Sequence, residues 1–177
     1  ARSASSLNSR SVPGFAGSDT HARFRAATEA AGLVHRVERE ICPTELGVPG
    51  VRRRFYAVAS AAPLHVGPTP IERRRLADCV ALDDDRPALR VPERVLERFG
   101  GAFHRVRVDD EQAVAACFTR AYARSPVYAG SYLELAGGAV RYFSPEEIAN
   151  LHGHGAPFSF AGLPERPFVQ ETHEDVV

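Results

Sequence analysis

The sequence contains no lysine, no methionine and no tryptophan, and its charges of opposite sign cancel. All 22 positive charges are arginines, and 22 aspartates and glutamates balance them to a formal net charge of zero. Proteins that bind nucleic acids usually carry a basic footprint, and the overall charge provides none. Long apolar runs are also missing. None approaches the roughly 20 residues that cross a bilayer, so we expect a soluble protein without a membrane partner.

Cysteine is scarce, and its spacing excludes two classes of small protein. Cys42, Cys79 and Cys117 lie far apart and form no C-x-x-C pair. An odd number of separated cysteines argues against a disulfide framework and against a structural zinc site. We therefore predict reduced, partly buried thiols in a cytoplasmic or nuclear protein.

Two histidines near the C-terminus, His152 and His154, could be considered as a metal pair. No acidic or cysteine ligand stands at helical spacing from them, and a metal site needs such further ligands. We predict capping or surface histidines and no metal site.

The remaining composition is that of a globular domain. The chain has 177 residues, of which 44% are hydrophobic and 25% charged, so it can bury one sizeable core. Residues 1–12 are serine-rich and aperiodic and predict a loose terminus. Ser18 or Asp19 can cap a helix that runs to Ala31, where Gly32 ends it. An alternating pattern from Leu33 predicts a strand to Ile41, and a second strand follows over 54–61.

The second half of the chain is less regular. Residues 62–92 predict an irregular connector, a helix begins at Pro92 and ends at Gly100, and residues 103–140 predict mixed short elements. The strongest local signal is the sequence SPEE at 144–147, a capping box with serine at the N-cap, proline at the first helical position and glutamate at the third. Together these patterns predict an α+β fold.

Three consecutive arginines, Arg52, Arg53 and Arg54, follow a loop rich in proline and glycine. If Arg54 opens a strand, the period of two places Arg52 and Arg54 on one face and Arg53 on the other. Two guanidiniums side by side can hold a phosphate or a base edge through forked hydrogen bonds. The alternative is a solvated charge run, and spacing alone favours it.

A second candidate combines a thiol, a hydroxyl, a cation and two rings in the segment 117–122. Such a segment can form a surface on which an unpaired base stacks. The alternative is a buried strand with the cysteine and phenylalanine inward, and the local sequence favours that alternative. The residues concerned are Cys117, Phe118, Thr119, Arg120 and Tyr122. No glycine-rich phosphate loop after a predicted strand, G-x-S-x-G or H-E-x-x-H motif accompanies them.

Several of these segments, taken in order, resemble the C-terminal part of a DNA/RNA cytosine-5 methyltransferase of the branch that methylates tRNA. Residues 141–151, RYFSPEEIANL, resemble the ninth motif of that branch. The sequence CFT at 117–119 resembles the signature of its target-recognition region. Residues 43–56, with their two outer arginines, resemble the eighth motif, in which two arginines flank the base pocket.

The resemblance implies a remnant of a Rossmann-like α/β methyltransferase domain followed by a small irregular target-recognition region. We expect residues 1–62 to end the catalytic domain, 63–140 to form the target-recognition region, and 141–177 to hold the ninth-motif helix and a tail. The resemblance further implies that Arg52 and Arg54 lie in the base pocket. It also implies that the substrate-binding residues are Cys117, Phe118, Thr119, Arg120 and Tyr122.

In the family, a cysteine thiolate attacks C6 of cytosine, and C5 then takes the methyl group of S-adenosylmethionine while a glutamate holds the ring. Arg10, Ser11 and Val12 stand where the family has the Glu-Asn-Val of its sixth motif. The nucleophile and the cofactor site lie N-terminal to the segments present here.

We therefore expect a monomeric fragment or degenerate copy that is inactive alone and binds no S-adenosylmethionine, with tRNA or DNA as substrate of the intact enzyme. The alternatives are a stand-alone RNA-binding or interaction module and a non-functional remnant.

Overall fold

The structure is a computed structural model that describes residues 6–11, 14–65, 67 and 71–154, with only the backbone of 6–11. Two compact units make up the chain. The first comprises Ala1–Leu46 and Arg52–Glu72, and the second comprises Gly47–Val51 and Arg73–Val177. The chain thus contributes the short segment 47–51 to the second unit before it returns to the first.

The first unit contains a three-stranded sheet with one helix. The strands are β1 (Ser6–Ser11), β2 (His35–Ile41) and β3 (Arg54–Ser60), in the order β1-β3-β2. The central strand β3 is antiparallel to both neighbours, so β1 and β2 run in the same direction. Helix α1 (Asp19–Ala30) connects these two parallel strands and makes a β-α-β crossover.

Helix α1 begins and ends where its sequence predicts. The Ser18 side chain accepts a hydrogen bond from the His21 backbone N–H, and Gly32 has φ +76 just beyond the helix. The sheet buries alternate residues of β3, namely Phe55, Ala57 and Ala59. This alternation follows from the period of two along a strand.

The prediction of a loose terminus is wrong for residues 6–11, which form β1, and the rest of residues 1–12 lies outside the described residues. Ser11 pairs with Phe55 and Ser6 pairs with Ser60 of the central strand. A serine-rich segment has little strand propensity of its own, and here the partner strand supplies the hydrogen bonds that hold it. The other two strands are each slightly shorter than predicted: β2 starts at His35, and β3 ends at Ser60.

The second unit holds a smaller sheet and two short helices. Strand β4 (Arg105–Arg107) is parallel to β5 (Tyr132–Glu134), which is antiparallel to β6 (Val140–Arg141). Helices α2 (Glu93–Phe99) and α3 (Pro145–Leu151) confirm the two helices predicted in this half. Between residues 71 and 92, the chain forms only two 3-10 turns, Leu76–Cys79 and Pro87–Leu89.

The core of the second unit consists of two clusters, each with two buried aromatic residues among aliphatic ones. One cluster gathers around Phe143, and the other contains Tyr132 and Tyr142 with Val91 and Val140. The Phe103 and Tyr132 rings stack with their centroids 3.8 Å apart. Across the described ranges, no helix is long and apolar enough to span a membrane.

Candidate nucleic-acid interface

A loop of residues 42–53 joins β2 to β3 and leads to the first candidate residues. The 3-10 turn Pro43–Leu46 follows β2 directly. The Glu45 carboxylate accepts from the Cys42 backbone N–H at 3.1 Å, and the Glu45 N–H donates to the Cys42 carbonyl oxygen at 2.9 Å. This reciprocal pair fixes the start of the loop that leads to the arginines.

The Cys42 thiol sits inside this turn and is buried. Burial raises the pKa of the thiol, but hydrogen bonds from the Thr44 side chain and backbone and from the Arg52 backbone, with the nearby Arg53 charge, outweigh it. The pKa of Cys42 therefore lies below its usual value. The other buried thiol, Cys79, has a raised pKa because burial dominates there.

The three arginines divide by exposure. Arg52 and Arg54 are half-buried, whereas Arg53 is exposed. The Arg53 guanidinium lies 3.4 Å from the Glu45 carboxylate, and the Arg54 guanidinium donates to the Arg53 carbonyl oxygen at 2.8 Å. Arg54 is the first residue of β3, as the alternation argument requires. The base-pocket role of Arg52 and Arg54 stays a prediction.

The segment 47–51 is anchored to the chain just before Cys117. The Val51 N–H donates to the Ala115 carbonyl oxygen at 2.8 Å, and the Ala115 N–H donates to the Pro49 carbonyl oxygen at 2.9 Å. Gly50 must be small, because a Cβ atom there would lie 3.1 Å from the Leu151 carbonyl oxygen. The backbone of residues 47–51 therefore pairs directly with that of Ala115.

The rings of Phe118 and Tyr122 point into the core of the second unit. Phe118 is 9% exposed and packs edge-on against Phe143 and Tyr122. The Tyr122 hydroxyl donates to the Ser131 carbonyl oxygen at 2.6 Å and accepts from the Phe143 N–H at 2.9 Å. Burial raises the pKa of Tyr122 well above its usual range. These two rings pack in the core and hold the segment in place, and their substrate-binding role stays a prediction.

The backbone at Gly130 lies close behind these rings, and this close approach explains why they are buried. A Cβ atom on Gly130 would lie 2.7 Å from both the Phe118 and the Tyr122 ring, so the site admits only glycine. Next to it, the Ser131 hydroxyl lies 2.8 Å from a His104 ring nitrogen and accepts from the Ala116 N–H at 2.7 Å. Gly130 and Ser131 are thus part of the packing.

The remaining predicted residues are differently placed. Cys117 is half-buried, with its sulfur 3.8 Å from the Phe118 carbonyl oxygen. Thr119 and Arg120 are exposed at the start of a loop. Their substrate-binding role stays a prediction. His152 is exposed at the end of α3, its ring nitrogen 2.7 Å from the Ile148 carbonyl oxygen. Within the described ranges, no group of three or more potential metal ligands occurs.

A buried ion pair, missed by the sequence reasoning, supports the ninth-motif helix. The Arg141 guanidinium donates to both carboxylate oxygens of Glu147, at 2.8 and 2.7 Å. The same carboxylate accepts from the backbone N–H groups of Ser144 and Ala81, at 2.7 and 2.8 Å. The sequence gives no clear signal for this pair, because the same stretch also contains Ser144, Glu146 and Asn150.

Two places where a nucleotide-containing cofactor could be held are the turn from β1 into α1 and the acidic residue after β2. The turn from β1 into α1 holds Gly14 and Gly17, so a strand does precede a glycine-containing turn here, contrary to expectation. However, the Gly17 N–H donates to the His21 ring and the His21 N–H donates to Ser18. Glu45, the acidic residue after β2, is bonded to Cys42 and Arg53. These donors and this carboxylate are therefore occupied within the protein.

Solved structures with this architecture are methyltransferases. Entamoeba histolytica methyltransferase EhMeth is 19% identical with a TM-score of 0.81, and the match covers 93% of this chain and 55% of that one. The S. pombe Dnmt2 methyltransferase is 22% identical with a TM-score of 0.78, covering 89% and 56%. A mutant of Spodoptera frugiperda DNMT2 is 19% identical with a TM-score of 0.68, covering 83% and 55%.

The chain therefore has a methyltransferase fold. The chain spans little more than half the length of these solved methyltransferases. The match agrees with the expected partial α/β methyltransferase domain joined to an irregular region. No family model matches the sequence, and no curated protein matches it either.

Proposed function

We propose that this chain supplies target recognition and base orientation for transfer of a methyl group from S-adenosylmethionine to C5 of cytosine in tRNA. The observation that carries the proposal is the match to Dnmt2-type methyltransferases over 83% to 93% of the chain. In this proposal, the nucleophilic cysteine and the cofactor pocket belong to a part of the enzyme that these residues do not include. The chain alone is then inactive.

Arg52 and Arg54 are assigned the orientation of the target base. Both are half-buried at the start of β3, whereas Arg53 is exposed and paired with Glu45. A partly desolvated guanidinium forms stronger hydrogen bonds to a base edge or phosphate than a fully solvated one. The preference for tRNA over DNA rests on the resemblance of residues 117–122 and 141–151 to the tRNA branch.

Binding of labelled tRNA to the purified chain tests the substrate. Fluorescence anisotropy at fixed salt should show saturable binding of tRNA, and duplex DNA should compete poorly. Absence of tRNA binding, or tighter binding of duplex DNA, would refute the proposed substrate.

Transfer of a labelled methyl group from S-adenosylmethionine to tRNA tests the division of roles. The chain alone should transfer none. Methylation of tRNA by the chain alone would show that it contains a nucleophile and a cofactor site, against the proposal.

A further inference from the structure

The loop from Thr119 to Ala129 is closed and internally braced. The Thr119 N–H donates to the Ala129 carbonyl oxygen at 2.9 Å, which brings the two ends of the loop together. The Tyr132 hydroxyl donates to the Pro126 carbonyl oxygen at 2.8 Å, and the Tyr122 hydroxyl fixes the loop to the core. Compact surface loops that close on themselves in this way are frequently functional.

Tyr128 stands out on this loop in two independent respects. It is 96% exposed, the largest exposed fraction among the exposed large hydrophobic residues of the described chain. Its backbone has φ +61, a left-handed conformation that a bulky side chain adopts only at a cost. Ala123 has φ +64 on the same loop. The hydrogen-bonded loop therefore holds Tyr128 in a strained backbone conformation, although its ring is exposed and does not pack in the core.

The loop that carries this ring also carries two positive charges. Arg120 and Arg124 are exposed on the same loop, and the sequence contains no acidic residue between Glu111 and Glu134. The Arg124 guanidinium donates to the Arg120 carbonyl oxygen at 2.6 Å, which keeps the two arginines close together. Within the part of the chain that the structure describes, neither guanidinium forms an ion pair with a carboxylate. A local positive charge thus exists in a chain whose net charge is zero.

We propose that Tyr128 is a stacking platform for an unpaired base of the tRNA substrate, with Arg120 and Arg124 contacting the flanking phosphates. This inference rests on the proposed function and adds a residue to it. An exposed ring on the same loop as two exposed arginines is a combination that can bind single-stranded nucleic acid, because the ring stacks on a base face while the cations follow the backbone. The core rings of Phe118 and Tyr122 position the loop and do not themselves touch the base.

Substitution of Tyr128 separates this inference from a general charge effect. In anisotropy titrations with a tRNA stem-loop, Tyr128→Ala should raise Kd about five- to one-hundred-fold, whereas Tyr128→Phe, which keeps the ring, should retain binding. The control Leu82→Ala removes another exposed apolar side chain of the same unit and should leave Kd unchanged. The same stem-loop with its loop closed by a complementary strand should compete poorly.

A fluorescence experiment reports stacking directly. Because the chain has no tryptophan, Tyr128→Trp introduces a single indole at the proposed contact. Saturating stem-loop RNA should quench its emission, while an indole placed by Leu82→Trp should not respond.

The outcomes distinguish the two levels of the proposal. If the unaltered chain binds no tRNA, both the proposed function and this inference are refuted. If tRNA binds and Tyr128→Ala binds equally well, or the Trp emission stays constant, only the stacking role is refuted. Equal binding of a single-stranded DNA of the same sequence would overturn the choice of RNA.

Discussion

Arg141 and Glu147 face each other inside the second unit, with side chains 4% and 2% exposed and two hydrogen bonds between them. The guanidinium also donates to the carbonyl oxygens of Tyr142 and Ala81, at 2.8 and 2.9 Å. The pair therefore joins strand β6, helix α3 and the segment around Ala81. Breaking the pair is costly mainly because it leaves one charge buried without a partner. The mutual attraction of the two charges contributes less.

Arg141→Met should lower the free energy of unfolding by about 3 to 5 kcal/mol, because it leaves the Glu147 charge buried without its cation. Urea denaturation measures this. The control Arg107→Met removes a guanidinium from an exposed pair with Asp109, 2.6 Å apart, and should cost no more than about 1 kcal/mol. In the double variant with Glu147→Leu, the losses should not add, since the two side chains form one network. Similar losses for Arg141→Met and Arg107→Met would contradict this view.

The cap of α3 gives a smaller and separate effect. The Glu147 N–H donates to the Ser144 hydroxyl at 3.1 Å, and the Ser144 N–H donates back to the carboxylate at 2.7 Å. Ser144→Ala removes one half of this reciprocal arrangement and should lower the free energy of unfolding by about 1 kcal/mol. The denaturation midpoint should fall accordingly. An unchanged midpoint in a cooperative transition would argue against the cap.

Helices with local end signals were predictable, and elements held by distant partners were not. Ser144 and Gly32 mark helix ends through bonds made within a few residues, so the printed sequence suffices to find them. Strand β1 exists because it pairs with β3, and its own serine-rich sequence indicates no strand. Likewise, the burial of Phe118 depends on the close approach of Gly130 and Phe143, which no local pattern reveals.

An arginine scan tests the candidate base pocket. Arg52→Ala and Arg54→Ala should each weaken tRNA binding by about 1 to 3 kcal/mol at fixed salt, because each removes a charged donor from the base or phosphate. Arg53→Ala is the matched control, since its side chain is exposed and paired with Glu45. It should leave binding nearly unchanged. Equal losses at all three positions would indicate a nonspecific charge effect.

Isothermal titration calorimetry with S-adenosylmethionine tests the cofactor prediction. The turn donors and Glu45 that could serve a nucleoside are bonded within the protein, so we expect no heat of binding from the chain alone. Binding of S-adenosylmethionine in the micromolar range would contradict this prediction and show that other groups of the chain hold the cofactor.

The strain at Tyr128 predicts opposite effects on stability and on binding. Tyr128→Gly relieves the left-handed backbone, so the free energy of unfolding should rise by up to about 1 kcal/mol. Tyr128→Ala keeps the strain and should leave stability nearly unchanged, which makes it the matched control. Both variants should bind the stem-loop RNA less well than the unaltered chain. A lower free energy of unfolding for Tyr128→Gly would contradict the view that the backbone is strained at residue 128.

The pairing of Val51 and Pro49 with Ala115 limits how this protein can be dissected or recombined. A truncated chain that begins at Arg73 would omit the segment 47–51 and leave the N–H and carbonyl oxygen of Ala115, which is fully buried, without these partners. Each unsatisfied buried group costs about 1 to 3 kcal/mol. The second unit therefore cannot be excised as one continuous stretch of sequence. A chimera that exchanges the second unit must exchange two stretches of sequence together.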